Sequence, residues 1–155
     1  MTVRRVITDE SDGKSRILTD SEAPNIWCDE IWMATPELPY GSDPGASPQP
    51  LQPTPGATYF RIVSLDPDHV VRAALAQVSE QQGDIHQDID AEGFHQTDTI
   101  DYVFILDGPV ELLLDEGSTV LQPGDCVVQR GTRHAWRNHG DKPIRLLTMM
   151  VGTTR

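Results

Sequence analysis

Apolar and polar residues alternate over Thr99–Leu106 and Val110–Leu114, and a side-chain period of two marks a strand with one buried face. Turn signals punctuate this region at Asp107-Gly108, Glu116-Gly117, Pro123-Gly124-Asp125 and Gly140-Asp141. Strands this short, separated by turns this regular, predict an all-β sandwich or closed antiparallel barrel.

The rest of the chain reads as additions to that barrel. Val3–Thr8, Ser15–Thr19 and Ile26–Met33 have extended character, and apolar runs flanking Asp12-Gly13 predict a hairpin. Residues 34–57 hold seven of the twelve prolines; proline lacks the backbone donor, so this stretch is expected to be a surface loop without a ladder. Thr58–Leu65 returns to strand composition. Asp66 as N-cap, Pro67 in the first turn and Gly83 as terminator predict one short helix between them. We read one domain in two parts: N-terminal strands and loop over 1–57, packed on the barrel or on a dimer partner, and the barrel over 58–155.

The chain has 155 residues, enough for one core without staples. Its two cysteines, Cys28 and Cys126, make no disulfide framework and fit a reducing, cytoplasmic setting. The formal net charge of −12 repels phosphate backbones and anionic lipid, which argues against nucleic acid and membrane partners. No window approaches the roughly 20 apolar residues of a membrane span, and no apolar targeting segment follows the N-terminal arginines.

If Gly93–Leu106 is extended, His95, Thr97, Thr99 and Asp101 share one face with Val103 and Ile105. His134, Trp136 and Asn138 share a face of a second strand. A face that is polar at one end and apolar at the other describes a barrel interior with a functional mouth, because dry polar groups without partners are costly. Tyr102 has the opposite parity and is expected to face outward, as a dimer-interface candidate with Trp27 and Trp32. His139, His69 and His86 read as surface residues, and Cys126 as an inert strand cysteine. Gly108, Gly117, Gly124 and Gly131 answer backbone demands of turns.

These two segments resemble the paired motifs of the cupin superfamily, over about residues 58–150. Gly108 follows Asp101 by seven residues, which matches Asp101 to the first motif's glutamate, His95 to its first histidine and Thr97 to its second. Pro123-Gly124-Asp125, His134 and Asn138 match the second motif. The resemblance implies an antiparallel jelly-roll barrel, a site inside it, and frequently a homodimer. It places His95, Asp101 and His134 as a three-donor set for a divalent metal (Fe, Mn, Ni or Zn), with no organic cofactor, and these three as the catalytic groups. Thr97, Gln129, Trp136 and Asn138 are the substrate-binding candidates. Thr97 and the shorter carboxylate of Asp101 depart from the motif, as does Gln129, which stands where proline is common.

Two functions stay open at this stage. One is a metal-dependent enzyme of lyase, decarboxylase, isomerase or dioxygenase type, acting on a small organic acid or aromatic metabolite, with Arg130, Arg133 and Arg137 available to a substrate carboxylate. Without metal, His95 or His134 serves as general base beside Asp101. The other is a non-catalytic barrel that binds or senses a small molecule.

Overall fold

A computed structural model describes residues 2–25, 27–45, 49–71, 89–90 and 92–154. Its strands are β1 (Arg4–Ser11), β2 (Lys14–Glu22), β3 (Asp29–Thr35), β4 (Leu38–Ser42), β5 (Thr58–Leu65), β6 (Thr99–Ile105), β7 (Val110–Leu114), β8 (Gly117–Leu121), β9 (Cys126–Arg130), β10 (His134–Arg137) and β11 (Ile144–Gly152). All pairings are antiparallel. A six-stranded sheet runs β4-β3-β5-β11-β6-β9 and a three-stranded sheet runs β10-β7-β8. The expected all-β, antiparallel architecture is present.

Both sheets feed one core. Val103 and Ile105 of β6, Val110 of β7, and Ile144 and Leu146 of β11 are buried together. Leu65, Leu121, Val127 and Trp136 pack against them. Alternation on β6 is complete: Thr99, Asp101, Val103 and Ile105 are buried, while Tyr102 and Phe104 are exposed. One strand therefore carries the core at its C-terminal half and polar groups at its N-terminal half, on the same face.

β1 and β2 form a separate hairpin. Its turn puts Asp12 at φ 55° and Gly13 at φ 73°, the left-handed pair that a two-residue hairpin loop needs. A cleft of about 580 Å³ lies between this hairpin and β3–β4, lined in part by Val6, Leu18, Trp32 and Tyr40.

The proline-rich segment departs from expectation, because β4 lies within it and pairs with β3 through Met33↔Ser42 and Thr35↔Leu38. The physical reason is position: β4 is an edge strand, where Pro39 is tolerated without costing the sheet an inner hydrogen bond. β3 and β4 share the sheet of the strands after residue 58. The predicted helix is described only over residues 68–71. Its first turn closes with Val71 N–H donating to the Pro67 carbonyl, so it starts later than an Asp66 cap would place it. Val78, Gly83 and His86 lie outside the described residues.

Gly124 has φ 96° in the Pro123-Gly124-Asp125 turn, as its sequence context implies. Gly108 differs: it has no positive φ, and a Cβ there would stand 3.3 Å from the Val110 nitrogen and 3.4 Å from Ile105 Cγ2. Close packing accounts for that glycine better than turn geometry does.

Candidate active site

The site forms where the segment before β6 meets the start of β10. His95 and His134 exchange both backbone hydrogen bonds, at 3.0 Å each, and this isolated bridge brings their rings to 4.3 Å between centroids. His134 is buried and His95 half-buried. His134 Nδ1 lies 2.8 Å from the Thr132 carbonyl. A carbonyl only accepts, so Nδ1 carries the proton and Nε2 keeps a lone pair. Burial pushes the His134 pKa down to about 4, with His95 adding to the fall and the Thr132 hydrogen bond opposing it. The ring is neutral at pH 7. His95 Nδ1 faces the Gly93 carbonyl at 3.3 Å.

Asp101 sits on the same face and is buried. Burial raises its pKa, while a hydrogen bond from Thr99 and the charge of His95 act the other way. Its Oδ1 is buried without a hydrogen-bond partner. Thr99 was not among the sequence candidates for the site, although its parity with Asp101 was visible. Thr97 is buried, with its hydroxyl 2.7 Å from that of Thr99.

Gln129 faces Asp101 directly across β9 and β6 and is buried, with Nε2 unpaired. Trp136 meets His134 edge-on at 6.2 Å and packs against the core. Asn138 is a correction. Its Nδ2 donates to the carbonyls of Leu65 at 2.9 Å and Lys142 at 2.8 Å, and its Oδ1 accepts from Gly140 N–H at 3.0 Å. Every group of that amide is committed to shaping a loop, which leaves none for a substrate.

Two of the three arginines are likewise committed. Arg133 pairs with Asp90 at 2.5 Å and Asp115 at 2.6 Å and lies over the Phe94 ring. Arg137 bonds the Trp136 and Glu92 carbonyls and lies 3.9 Å from Asp68. Arg130 is exposed on β9. His139 is exposed and pairs with Glu111 at 2.7 Å. His69 is exposed, and Cys28 and Cys126 are unpaired.

A divalent ion suits this donor chemistry in part. A neutral imidazole with a free Nε2 and an unpartnered buried carboxylate oxygen are the right atoms. Among the described residues, however, no three His, Cys, Asp or Glu side chains are gathered closely enough to hold one ion. The imidazole pair is assembled; the third donor is not drawn in to it. No described helix is long and apolar enough to cross a membrane.

The Cupin_2 family, described as a cupin domain, matches residues 86–150. The phomopsin biosynthesis cluster protein C' of Diaporthe leptostromiformis is 56% identical over 45 residues, 28% of this chain and 24% of that protein. A cupin-domain-containing oxidoreductase of Neurospora crassa is 39% identical over 61 residues, 37% of this chain and 31% of that protein. The chain thus spans about a quarter to a third of these relatives. A conserved Streptococcus pyogenes protein of unknown function superposes with a TM-score of 0.42 at 20% identity, over 63% of this chain and 67% of that one.

Proposed function

We propose, on the match of residues 86–150 to the cupin domain, that the interior face around His95, Asp101 and His134 is an enzyme site for a small organic molecule, with a divalent cation as cofactor. The observation that carries this reading is the uncommitted state of these groups. Asp101 Oδ1 has no partner, and the His134 tautomer leaves Nε2 free. Folding has buried this oxygen of Asp101 without pairing it, which is costly unless a ligand completes it.

His95, His134 and Asp101 would hold the ion. When bound, such an ion acts as a Lewis acid on a carbonyl or enolate oxygen. The chain's own residues do the rest. Thr132 fixes the His134 tautomer, Thr99 orients Asp101, and the core beneath Val103 and Ile105 closes the site to water from one side. The naming of the Neurospora crassa relative as an oxidoreductase supports enzyme chemistry on a related cupin scaffold.

Protein purified without chelator should carry close to one equivalent of Fe, Mn, Ni or Zn. Adding the ion at about 100 times its Kd should stabilise the fold by about 2.7 kcal/mol, a rise of several degrees in Tm. His134→Ala should remove that rise while the barrel stays folded. Metal content below about a tenth of an equivalent, with no thermal shift for any of the four ions, would overturn the metal-enzyme reading.

The gap in the donor set favours a second reading, a non-catalytic barrel that binds a small molecule without metal. It predicts ligand binding that survives chelator and no turnover. We place either form in the cytoplasm, in keeping with the unpaired cysteines.

A homodimer also belongs to the proposal. Register aligns Trp32, Phe60, Met149, Tyr102 and Val128 in one rung across β3, β5, β11, β6 and β9. Partners in a rung share a face, and Tyr102, Val128 and Met149 are 50%, 57% and 43% exposed. An apolar row this long is a contact surface for a second copy. Sedimentation should give a dimer at micromolar concentration, and Tyr102→Glu a monomer. A monomeric parent protein would rule this out.

A further inference from the structure

Four buried side-chain atoms of the described residues lack hydrogen-bond partners: Arg5 Nε, Asp101 Oδ1, Gln129 Nε2 and Thr148 Oγ1. Three of them fall on adjacent strands of one sheet, β6, β9 and β11. Gln129 stands directly opposite Asp101. Thr148 stands opposite Val103, two residues along β6 from Asp101 and so on the same face. Directly opposed side chains begin about 5 Å apart, and diagonal ones about 7–8 Å apart. All three residues are at least nine-tenths buried, with 7%, 4% and 9% exposure for Asp101, Gln129 and Thr148.

An unpaired buried polar atom is rare, and each calls for a reason. Three side by side call for one reason. The atoms are also chemically complementary. Gln129 Nε2 only donates, an ionised Asp101 only accepts, and the Thr148 hydroxyl does both. Donor and acceptor face each other across β9 and β6, yet neither satisfies the other.

We propose that Gln129 and Thr148, with Asp101 between them, form a recognition strip for a neutral ligand that presents a carbonyl oxygen next to an O–H or N–H donor, as in a hydroxy-carbonyl compound or a primary amide. Gln129 donates to the carbonyl oxygen, Asp101 accepts from the adjacent donor, and Thr148 selects for a further polar substituent. The proposal rests on reading this face as a small-molecule site, and it assigns Thr148 a specificity role that the sequence motifs do not suggest. A carboxylate ligand is disfavoured, since it offers no proton to Asp101 and adds a like charge beside it.

The test uses the full chain in chelator, so that its outcome is independent of metal. Ligand-observed saturation-transfer NMR with propionamide, hydroxyacetone and propionate should show transfer to one or both of the first two, at least fivefold above propionate. Gln129→Met should reduce that transfer at least fivefold, and Thr148→Val should change the ratio between the two probes. Each variant should also hold or raise Tm, by up to about 2–4 °C, because it removes an unpaired buried polar atom. Propionate binding best, no transfer to either neutral probe, or full transfer in Gln129→Met would overturn the strip. So would a Tm fall of several degrees in Thr148→Val, which would mean that the hydroxyl is already paired. Metal binding retained alongside failed probe binding would sink the strip alone and leave the metal site standing.

Discussion

Arg61→Leu is expected to cost about 3–5 kcal/mol of stability. The Arg61 side chain is fully buried. Its Nε donates to Glu30 Oε2 at 2.8 Å, and its terminal nitrogens donate to the carbonyls of Leu51 at 3.0 Å and Pro50 at 3.1 Å. The guanidinium also lies 4.2 Å from the centroid of the Tyr59 ring and 4.9 Å from that of Trp27. One side chain thus ties β5 to β3 and to the proline-rich segment. Removing it leaves Glu30, itself 3% exposed, as a buried charge without its counter-ion. Tm should fall by roughly 10 °C. Adding Glu30→Gln to Arg61→Leu should recover part of the loss, since the stranded charge is then gone. A loss below about 1 kcal/mol, or no recovery in the double variant, would show that solvent reaches Glu30 in place of the guanidinium.

That pair illustrates what the sequence left hidden. Arg61 lies within TYFRIVSL, and nothing local says that an arginine there points inward or that its partner is thirty-one residues earlier. Long-range pairing is set by register, and register depends on the whole sheet. The period of two was sufficient for β6, where the faces of Asp101 and Tyr102 follow from parity alone. It was sufficient for the hairpin at Asp12-Gly13, whose turn chemistry is local. It failed at Asn138, because parity predicts a face and cannot see that the neighbouring loop takes every hydrogen bond of that amide. It failed at β4 because proline composition outweighs the one exception that an edge strand allows. Thr148 carried no signal at all: a threonine in a strand is unremarkable until its hydroxyl is found buried and unpaired. The imidazole pair and Asp101 were legible as candidates. The incomplete gathering of the three donors was not, since that depends on side-chain positions between strands.

Acidification should test the His134 environment directly. Its pKa is about 4 in the fold against 6.5 as an ordinary imidazole. Between those values the unfolded chain takes up a proton that the native site refuses, so stability falls as pH drops from about 6.5 to 4 and this group contributes no slope above that window. The difference corresponds to about 3 kcal/mol, or roughly 10 °C in Tm for metal-free protein in chelator. Asp101 works with the opposite sign: its raised pKa means the native carboxyl binds a proton first, so acidification returns part of the loss. The carboxylates held low by arginines or by hydrogen bonds, such as Asp107 and Glu111, begin to lose their contribution as pH falls through the ordinary carboxylate range, at the acid end of this window, and do so in parent and variant alike. Relief of the acidic surface's self-repulsion affects parent and variant alike. Comparing the parent with His134→Asn therefore isolates the imidazole: the variant's Tm should fall less than half as far between pH 6.5 and 4. Parallel falls in the two proteins would mean that His134 titrates as if in water, and that the closed, neutral-imidazole site on which both functional readings depend does not exist in solution.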